Sequence, residues 1–150
     1  MPAEFTANRV RVLVFLHRKE GVSAEEFSKY WKDEHGDLFC NLPIIKKNLT
    51  RYEQVSSTSL YTVKLKPRRL LARLPQFHFN MPYNEELAKL GLFKSEHYGV
   101  AILESDSEQK IIDILSDPDY INIIQPDQDK FFDRSMMEAI LGKSAVFFDK

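Results

Sequence analysis

The stretch "FSKYWKDEHGDL", residues 27–38, carries the residues best suited to chemistry in this 150-residue chain. Trp31 and His35 are four positions apart, so on a helix they lie on the same side, with Phe27 one turn earlier. An imidazole in such apolar company stays neutral near pH 7 and can exchange protons with a ligand in an adjacent cavity. The alternative is a core histidine hydrogen-bonded to a backbone carbonyl, and spacing alone favours that alternative.

Other polar residues are candidates for the border of the same site. Tyr30 and Glu34 form a second pair with the i,i+4 spacing on an adjoining strip of the helix, where an ordinary surface pair is an equal alternative. Asp127, in "QPDQDKFFD", is explained most simply as a helix cap. Neither motif identifies a reaction by itself.

Two tyrosines on predicted strands are candidates for holding a ligand oxygen. Arg51 and Tyr52 are neighbours on a strand and therefore point to opposite faces of the sheet. His97 and Tyr98 divide between the faces in the same way. A tyrosine on the helix-covered side can donate a hydrogen bond to a phenolic or carbonyl oxygen, although a half-buried sheet aromatic is the default interpretation.

Composition and missing motifs exclude several classes of function. A formal net charge of -1 gives no support for binding nucleic acid or anionic membranes. The sequence has no apolar run of about 18 residues, and it has a single cysteine. We therefore expect a cytoplasmic protein without internal disulfides. It has no GxGxxG, GxxxxGK[ST], GxSxG, CxxC or HExxH motif, so we expect no cofactor and no metal.

The pattern of strands and helices predicts an α+β fold. A capping box, Ser23 with Glu26, starts a helix that we expect to run to about Phe39. Asp117, followed by Pro118, starts a later helix. Further helices are expected at 107–115 and 133–142, and strands at 9–17, 49–56, 98–103 and 144–149.

This order predicts one domain over residues 1–150, a ferredoxin-like four-stranded antiparallel sheet with helices on one face. An insertion at about 57–95 is too long for a hairpin loop, and we expect it to cover the pocket mouth or reach a partner subunit. Residues 12–16 and 98–103 are apolar on both strand faces, so the open face needs a cover. A second copy of the sheet is the simplest cover, which predicts a homodimer.

Three segments resemble the EthD family of dimeric α+β barrel proteins. They are "VFLHRKEGVSAEEFSKYWKDEHGDL", "LTRYEQ" and "LSDPDYINIIQPDQDKFFDR". The first contains the family's Gly turn, its "S-x-E-E-F-x-x-Y-W" helix and the His four residues after the Trp. The chain has Tyr98-Gly99 where members often have Asp-Gly, and residues 57–95 match no motif of the family.

The resemblance implies a cofactor-free pocket between sheet and helices, with His35 facing into it. Fungal members of this length are similar to decarboxylases that act on aromatic polyketide carboxylic acids in secondary metabolism. His35 would then transfer the proton, and Tyr52 or Tyr98 would hold the substrate oxygen. Substrate contacts are expected from Phe27, Tyr30, Trp31, His97, Asp127 and Phe131.

The resemblance leaves two alternatives open. One is a polyketide cyclase, dehydratase or isomerase that uses His35 as a base in the same pocket. The other is a non-catalytic accessory or ligand-binding protein. A cavity lined by His35 favours the enzymes, and a space filled by side chains favours the accessory protein.

Overall fold

The computed structural model describes residues 3–56, 90, 98–148 and 150, and within them one four-stranded sheet. Its strand order is β2-β3-β1-β4, and each neighbouring pair is antiparallel. This is the order of a ferredoxin-like α+β sandwich, so the predicted fold class is confirmed. The strands are β1 (Val10–Leu16), β2 (Arg51–Ser56), β3 (Gly99–Ser105) and β4 (Glu138–Lys143).

The helical segments follow β1 and β3 in the chain. Two of them contain a π-helical turn, at Trp31–His35 and at Tyr120–Ile124. A short 3₁₀ turn at Arg134–Met136 precedes β4. The α-helices are α1 (Ala24–Tyr30), α2 (Gly36–Asn41), α3 (Pro43–Asn48), α4 (Glu108–Ser116) and α5 (Gln125–Gln128). Across the described ranges, no helix has the length and apolar character needed to cross a membrane.

The start of α1 is set by the predicted capping box. Ser23 Oγ accepts a hydrogen bond from the Glu26 backbone N–H at 3.1 Å, and Glu26 Oε2 accepts one from the Ser23 N–H at 2.8 Å. These bonds satisfy two amide groups that a helix start leaves unpaired. The helical run then continues to Asn41, and Pro43 opens α3.

One face of the sheet packs against the helices and forms the core. Alternate residues of the central strands are buried there, including Val12 and Leu16 on β1 and Leu103 on β3. The opposite face is also apolar, because Leu13 and Ile102 point away from the helices, but both side chains stay partly exposed. The rest of the core comes from the helices and from the turn after α5, mainly through Phe27, Trp31, Phe39, Ile111, Ile114, Ile124, Phe131 and Phe132.

Two predicted elements at the C-terminus are wrong. The helix expected at 133–142 is a 3₁₀ turn followed by β4, and residues 144–148, expected as the last strand, lie outside any strand. β4 pairs with β1 from Val10 to Phe15, with Val12 opposite Leu141. A short apolar segment fits helical and strand periodicity equally well, and pairing with β1 decides between them. The predicted insertion at 57–95 lies almost wholly outside the described residues.

Candidate functional site

A cavity of about 190 Å³ lies between the sheet and the helices. Its walls are mainly apolar, with residues from β1, β3 and β4 on one side and aromatic side chains from the helices on the other. Besides Trp31 with its indole N–H, four residues of the wall have side chains that form hydrogen bonds: His35, Tyr52, Tyr120 and Gln128. A mostly apolar space with a few polar groups is the usual form of a small-molecule site.

The π-helical turns carry residues of this wall. In the first, the Gly36 N–H bonds to the Trp31 carbonyl, and Trp31 and His35 both line the cavity. In the second, the Gln125 N–H bonds to the Tyr120 carbonyl, and Tyr120 lines the opposite part of the helical wall. Such turns occur frequently at functional sites, where the wider turn redirects side chains. Because Trp31 and His35 both line the cavity, the expectation that they lie on the same side of the helix is confirmed.

His35 is held by a carboxylate. Its Nδ1 lies 2.7 Å from Asp127 Oδ2, and the two side chains are 3% and 5% exposed. The rings of Phe131 and Phe132 pack edge-on against the imidazole at centroid distances of 5.1 and 5.6 Å. The alternative of a backbone carbonyl partner is wrong. The expectation that Asp127 is a helix cap is also wrong, because its carboxylate accepts from side chains of other elements.

The second oxygen of Asp127 anchors a polar chain that leads to solvent. Oδ1 accepts hydrogen bonds from Tyr30 Oη at 2.5 Å and from Lys130 Nζ at 3.0 Å. Burial acts to raise the pKa of Asp127, but the hydrogen bonds from Tyr30, His35 and Lys130 outweigh it and lower that pKa. Asp127 is therefore ionised at neutral pH.

The protonation state of His35 follows from the same contacts. Burial lowers the pKa of His35 below its usual value, and the hydrogen bond and charge of Asp127 only partly oppose this. A neutral His35 donates its Nδ1 proton to the ionised Asp127, which fixes the tautomer. Nε2 then carries a lone pair, so the imidazole at the cavity wall is a base.

Tyr52 presents a hydroxyl to the same cavity. Its ring packs 4.7 Å from that of Phe39, and its oxygen accepts a hydrogen bond from Gln54 Nε2 at 3.1 Å. Burial raises the pKa of Tyr52 to about 12, so the hydroxyl keeps its proton. Gln54 also donates to the Trp31 carbonyl at 2.9 Å, which links the strand to the π-helical turn. Arg51 is exposed, as the alternation predicts.

Other candidates lie away from the cavity. The Tyr98 hydroxyl accepts a hydrogen bond from Arg18 Nη2 at 2.8 Å, and its ring lies beneath that guanidinium, so the structure does not bring it to the cavity wall. Phe27 is fully buried behind Trp31. Tyr30 and Phe131 line a separate surface groove together with Glu34 and Lys130. His97 lies outside the described residues.

Three residues of this site were not predicted from the sequence. Tyr120 and Gln128 line the cavity, and Lys130 bonds to Asp127. The first two are eight positions apart, about two helical turns, which is a weak signal of a shared face. Nothing in the sequence distinguishes Lys130 from other surface lysines. Among the described residues, no group of three or more His, Cys, Asp or Glu side chains could hold a metal ion.

Comparisons with known proteins agree with this architecture. The model of the EthD domain matches residues 19–135. No curated protein matches the sequence significantly. The fold is similar to that of an ethyl tert-butyl ether D (EthD) family protein from Bacillus halodurans, with a TM-score of 0.54 and 11% identity over 91% of this chain and 98% of the other.

Two further solved structures share the fold. A dimeric protein of unknown function with a ferredoxin-like fold, from Bacteroides fragilis, has a TM-score of 0.55 and 8% identity over 94% of this chain and 100% of the other. A hypothetical Arabidopsis thaliana protein has a TM-score of 0.52 and 12% identity over 97% and 96%. Because the domain match spans more than half of the sequence, this chain belongs to the EthD domain family.

Proposed function

We propose that this protein is a cofactor-independent lyase that removes CO₂ from an aromatic carboxylic acid. The observation that carries the proposal is the buried His35–Asp127 pair at the wall of a mainly apolar cavity. A neutral histidine oriented by an ionised carboxylate is a positioned base that becomes an acid once it has taken a proton. No other described residue offers both functions at this wall.

The proposed reaction needs no proton from outside the site. An apolar cavity favours the neutral acid form of the substrate, and His35 Nε2 accepts the carboxylic proton. The resulting imidazolium is stabilised by Asp127. It then delivers the proton to the ring carbon that bears the carboxylate, the carbon–carbon bond breaks, its electron pair returns to the ring and CO₂ leaves. His35 is neutral again at the end of the cycle.

Tyr52 assists by stabilising charge on the substrate. Its oxygen accepts from Gln54, and its own O–H has no acceptor within the described residues, so it can donate to a phenolic or carbonyl oxygen of the ligand. Once the ring carbon is protonated, the oxygen ortho to the carboxyl group has carbonyl character. It takes back electron density as the carbon–carbon bond breaks, and a hydrogen bond from Tyr52 assists that step. The family resemblance directs this proposal to aromatic polyketide acids of secondary metabolism.

We also propose that the protein works as a homodimer. The sheet face opposite the cavity carries Leu13, Phe15, Val100 and Ile102, while Ile140 on β4 is 59% exposed. An apolar sheet face of this kind is energetically unfavourable in water, and a second copy would cover it. The Bacteroides fragilis protein with a similar fold is described as dimeric.

The same base serves other reactions on the same class of compound. Neutral His35 could remove a proton next to a carbonyl, which is the step needed by a cyclase, dehydratase or isomerase. A ligand-binding accessory protein would need the cavity but no base. The buried pair behind His35 favours an enzyme, because Asp127 also stabilises the imidazolium that proton transfer forms, which binding alone does not require.

Incubation with a panel of ortho-hydroxy aromatic polyketide acids tests the proposal. Mass spectrometry should show loss of CO₂ with the wild type, and none above background with His35→Gln, which keeps a polar side chain. Loss of water, or ring closure without loss of CO₂, would favour the cyclase or dehydratase instead. Binding with no conversion of any compound would favour the accessory protein.

A further inference from the structure

A second pair of polar side chains lines the cavity, and the reaction proposed above uses neither of them. Tyr120 begins the second π-helical turn, and Gln128 ends α5. Both residues are buried: Tyr120 is 8% exposed and Gln128 is 6% exposed. Gln128 Nε2 donates to Tyr120 Oη over 3.4 Å, a long and weak hydrogen bond.

This bond leaves most of the pair's hydrogen-bonding capacity unused. In the described part of the chain, the Tyr120 O–H has no acceptor and the Gln128 carbonyl Oε1 has no donor. Polar groups at the wall of a mainly apolar cavity have few protein partners there, and native proteins usually satisfy such groups. Both residues face the cavity, so the partner that would satisfy them is a ligand in it.

We propose that Tyr120 and Gln128 form a specificity subsite that binds a ring hydroxyl of the ligand. Tyr120 donates its O–H to the oxygen of that group, and Gln128 Oε1 accepts the group's proton. The subsite rests on the proposed function, which places the carboxyl group of the ligand at His35 and its ortho oxygen at Tyr52. It selects aromatic acids that carry an additional hydroxyl group.

The choice of probe follows from the size of the cavity. A cavity of about 150 Å³ holds benzene, and the 190 Å³ found here is somewhat larger. Single-ring compounds are therefore suitable, and resorcinol and phenol differ only by the hydroxyl group in question. Neither carries a carboxyl group, so their binding is measured independently of any turnover.

Titration calorimetry with both phenols tests the subsite. The wild type should bind resorcinol about tenfold more tightly than phenol, the gain of roughly one good hydrogen-bonded group. Tyr120→Phe and Gln128→Met should each remove most of this preference while leaving phenol binding nearly unchanged. Tyr98→Phe, which also loses a phenolic hydroxyl but lies off the cavity, is the matched control and should keep the preference. Circular dichroism checks that each variant is folded.

The outcomes separate this subsite from the proposed reaction. A wild type without the preference, or variants that keep it or lose affinity for both phenols equally, would overturn the subsite. A preference that disappears in the two variants supports it, even if no acid in the panel loses CO₂ and the proposed reaction fails. Decarboxylation with an unchanged preference in the variants would leave the reaction standing and refute the subsite.

Discussion

His35 Nδ1 and Asp127 Oδ2 lie 2.7 Å apart, although 92 positions separate the two residues in the sequence. The helical run after β1 supplies the imidazole, and α5, before β4, supplies the carboxylate. Both elements pack on the same face of the sheet, so the fold itself brings the pair together. The aromatic rings around the pair exclude water and strengthen the contact.

Asp127→Asn should lower turnover by about 10²- to 10⁴-fold. The asparagine amide would donate to Nδ1, which shifts the histidine proton to Nε2 and removes the lone pair facing the cavity. Folding should be little affected, since Asn is nearly isosteric and keeps hydrogen bonds to Tyr30. Steady-state kinetics and thermal melts on the same preparation check this. Unchanged turnover would show that the tautomer is irrelevant.

Stability should fall as the pH decreases below about 6.5. The folded-state pKa of His35 is lowered, so in this range the unfolded chain binds a proton that the folded chain does not. The free energy of unfolding should lose at most about 1.4 kcal/mol per pH unit from this group. Urea unfolding at pH 7.5 and 5.5 measures the difference. His35→Gln should show a smaller loss, and an equal loss in both proteins would contradict the assignment.

Gly99→Ala should disturb the cavity wall from the sheet side. A Cβ at this position would lie 2.5 Å from Cζ3 and 2.9 Å from Cη2 of Trp31, so the indole must move. We expect a loss of about 1–3 kcal/mol in the free energy of unfolding and weaker ligand binding. Gly142→Ala is the control, because a Cβ there meets no atom within 4 Å. Similar melting of both variants would contradict the close packing.

If the protein is a homodimer, Ile140→Glu should sediment as a monomer at micromolar concentration, whereas the wild type should sediment as a dimer. A charge on the open sheet face would be buried without a partner in the dimer. Ile112→Glu is the control, because Ile112 on α4 is 52% exposed and does not belong to the sheet. A monomeric wild type would refute the dimer, as would an Ile140→Glu dimer of unchanged stability.

Local signals in the sequence predicted much of the fold. The Ser23–Glu26 capping box and the apolar runs of β1 and β3 determine their elements through nearby residues alone, and all three are present. The residues of β4 also fit a helical pattern, and they form a strand only by pairing with β1. Short segments depend on such tertiary contacts more than on propensity.

The candidate site was predictable only in part, for a related reason. His35 was identified because Trp31 precedes it at helical spacing, which is a local pattern. Its partner Asp127 lies on a second helical run, 92 positions away, so that pair depends on how the two runs pack. Tyr120 and Gln128 both lie on the second run, where the π-helical turn at Tyr120–Ile124 changes the spacing between them. The spacing of residues in the sequence predicts neither the packing of the two runs nor the position of a π-helical turn.

Trp31→Ala tests a structural role on the same side of the helix, for comparison with His35→Ala, which tests proton transfer. Trp31 is 1% exposed and packs on Phe27, so its removal should cost roughly 3–5 kcal/mol of stability, and activity should fall with the loss of folded protein. His35→Ala should behave differently. It leaves Asp127 bonded to Tyr30 and Lys130, so the fold retains a partner for the buried carboxylate.

The most direct measurement is therefore turnover per folded molecule of His35→Ala, on an acid that the wild type decarboxylates, together with its thermal melt. If His35 transfers the proton, turnover should fall by about 10²- to 10⁴-fold while the melting temperature stays near that of the wild type. A variant that melts early but turns over normally per folded molecule would show that His35 is only a core residue, and would contradict the proposed mechanism.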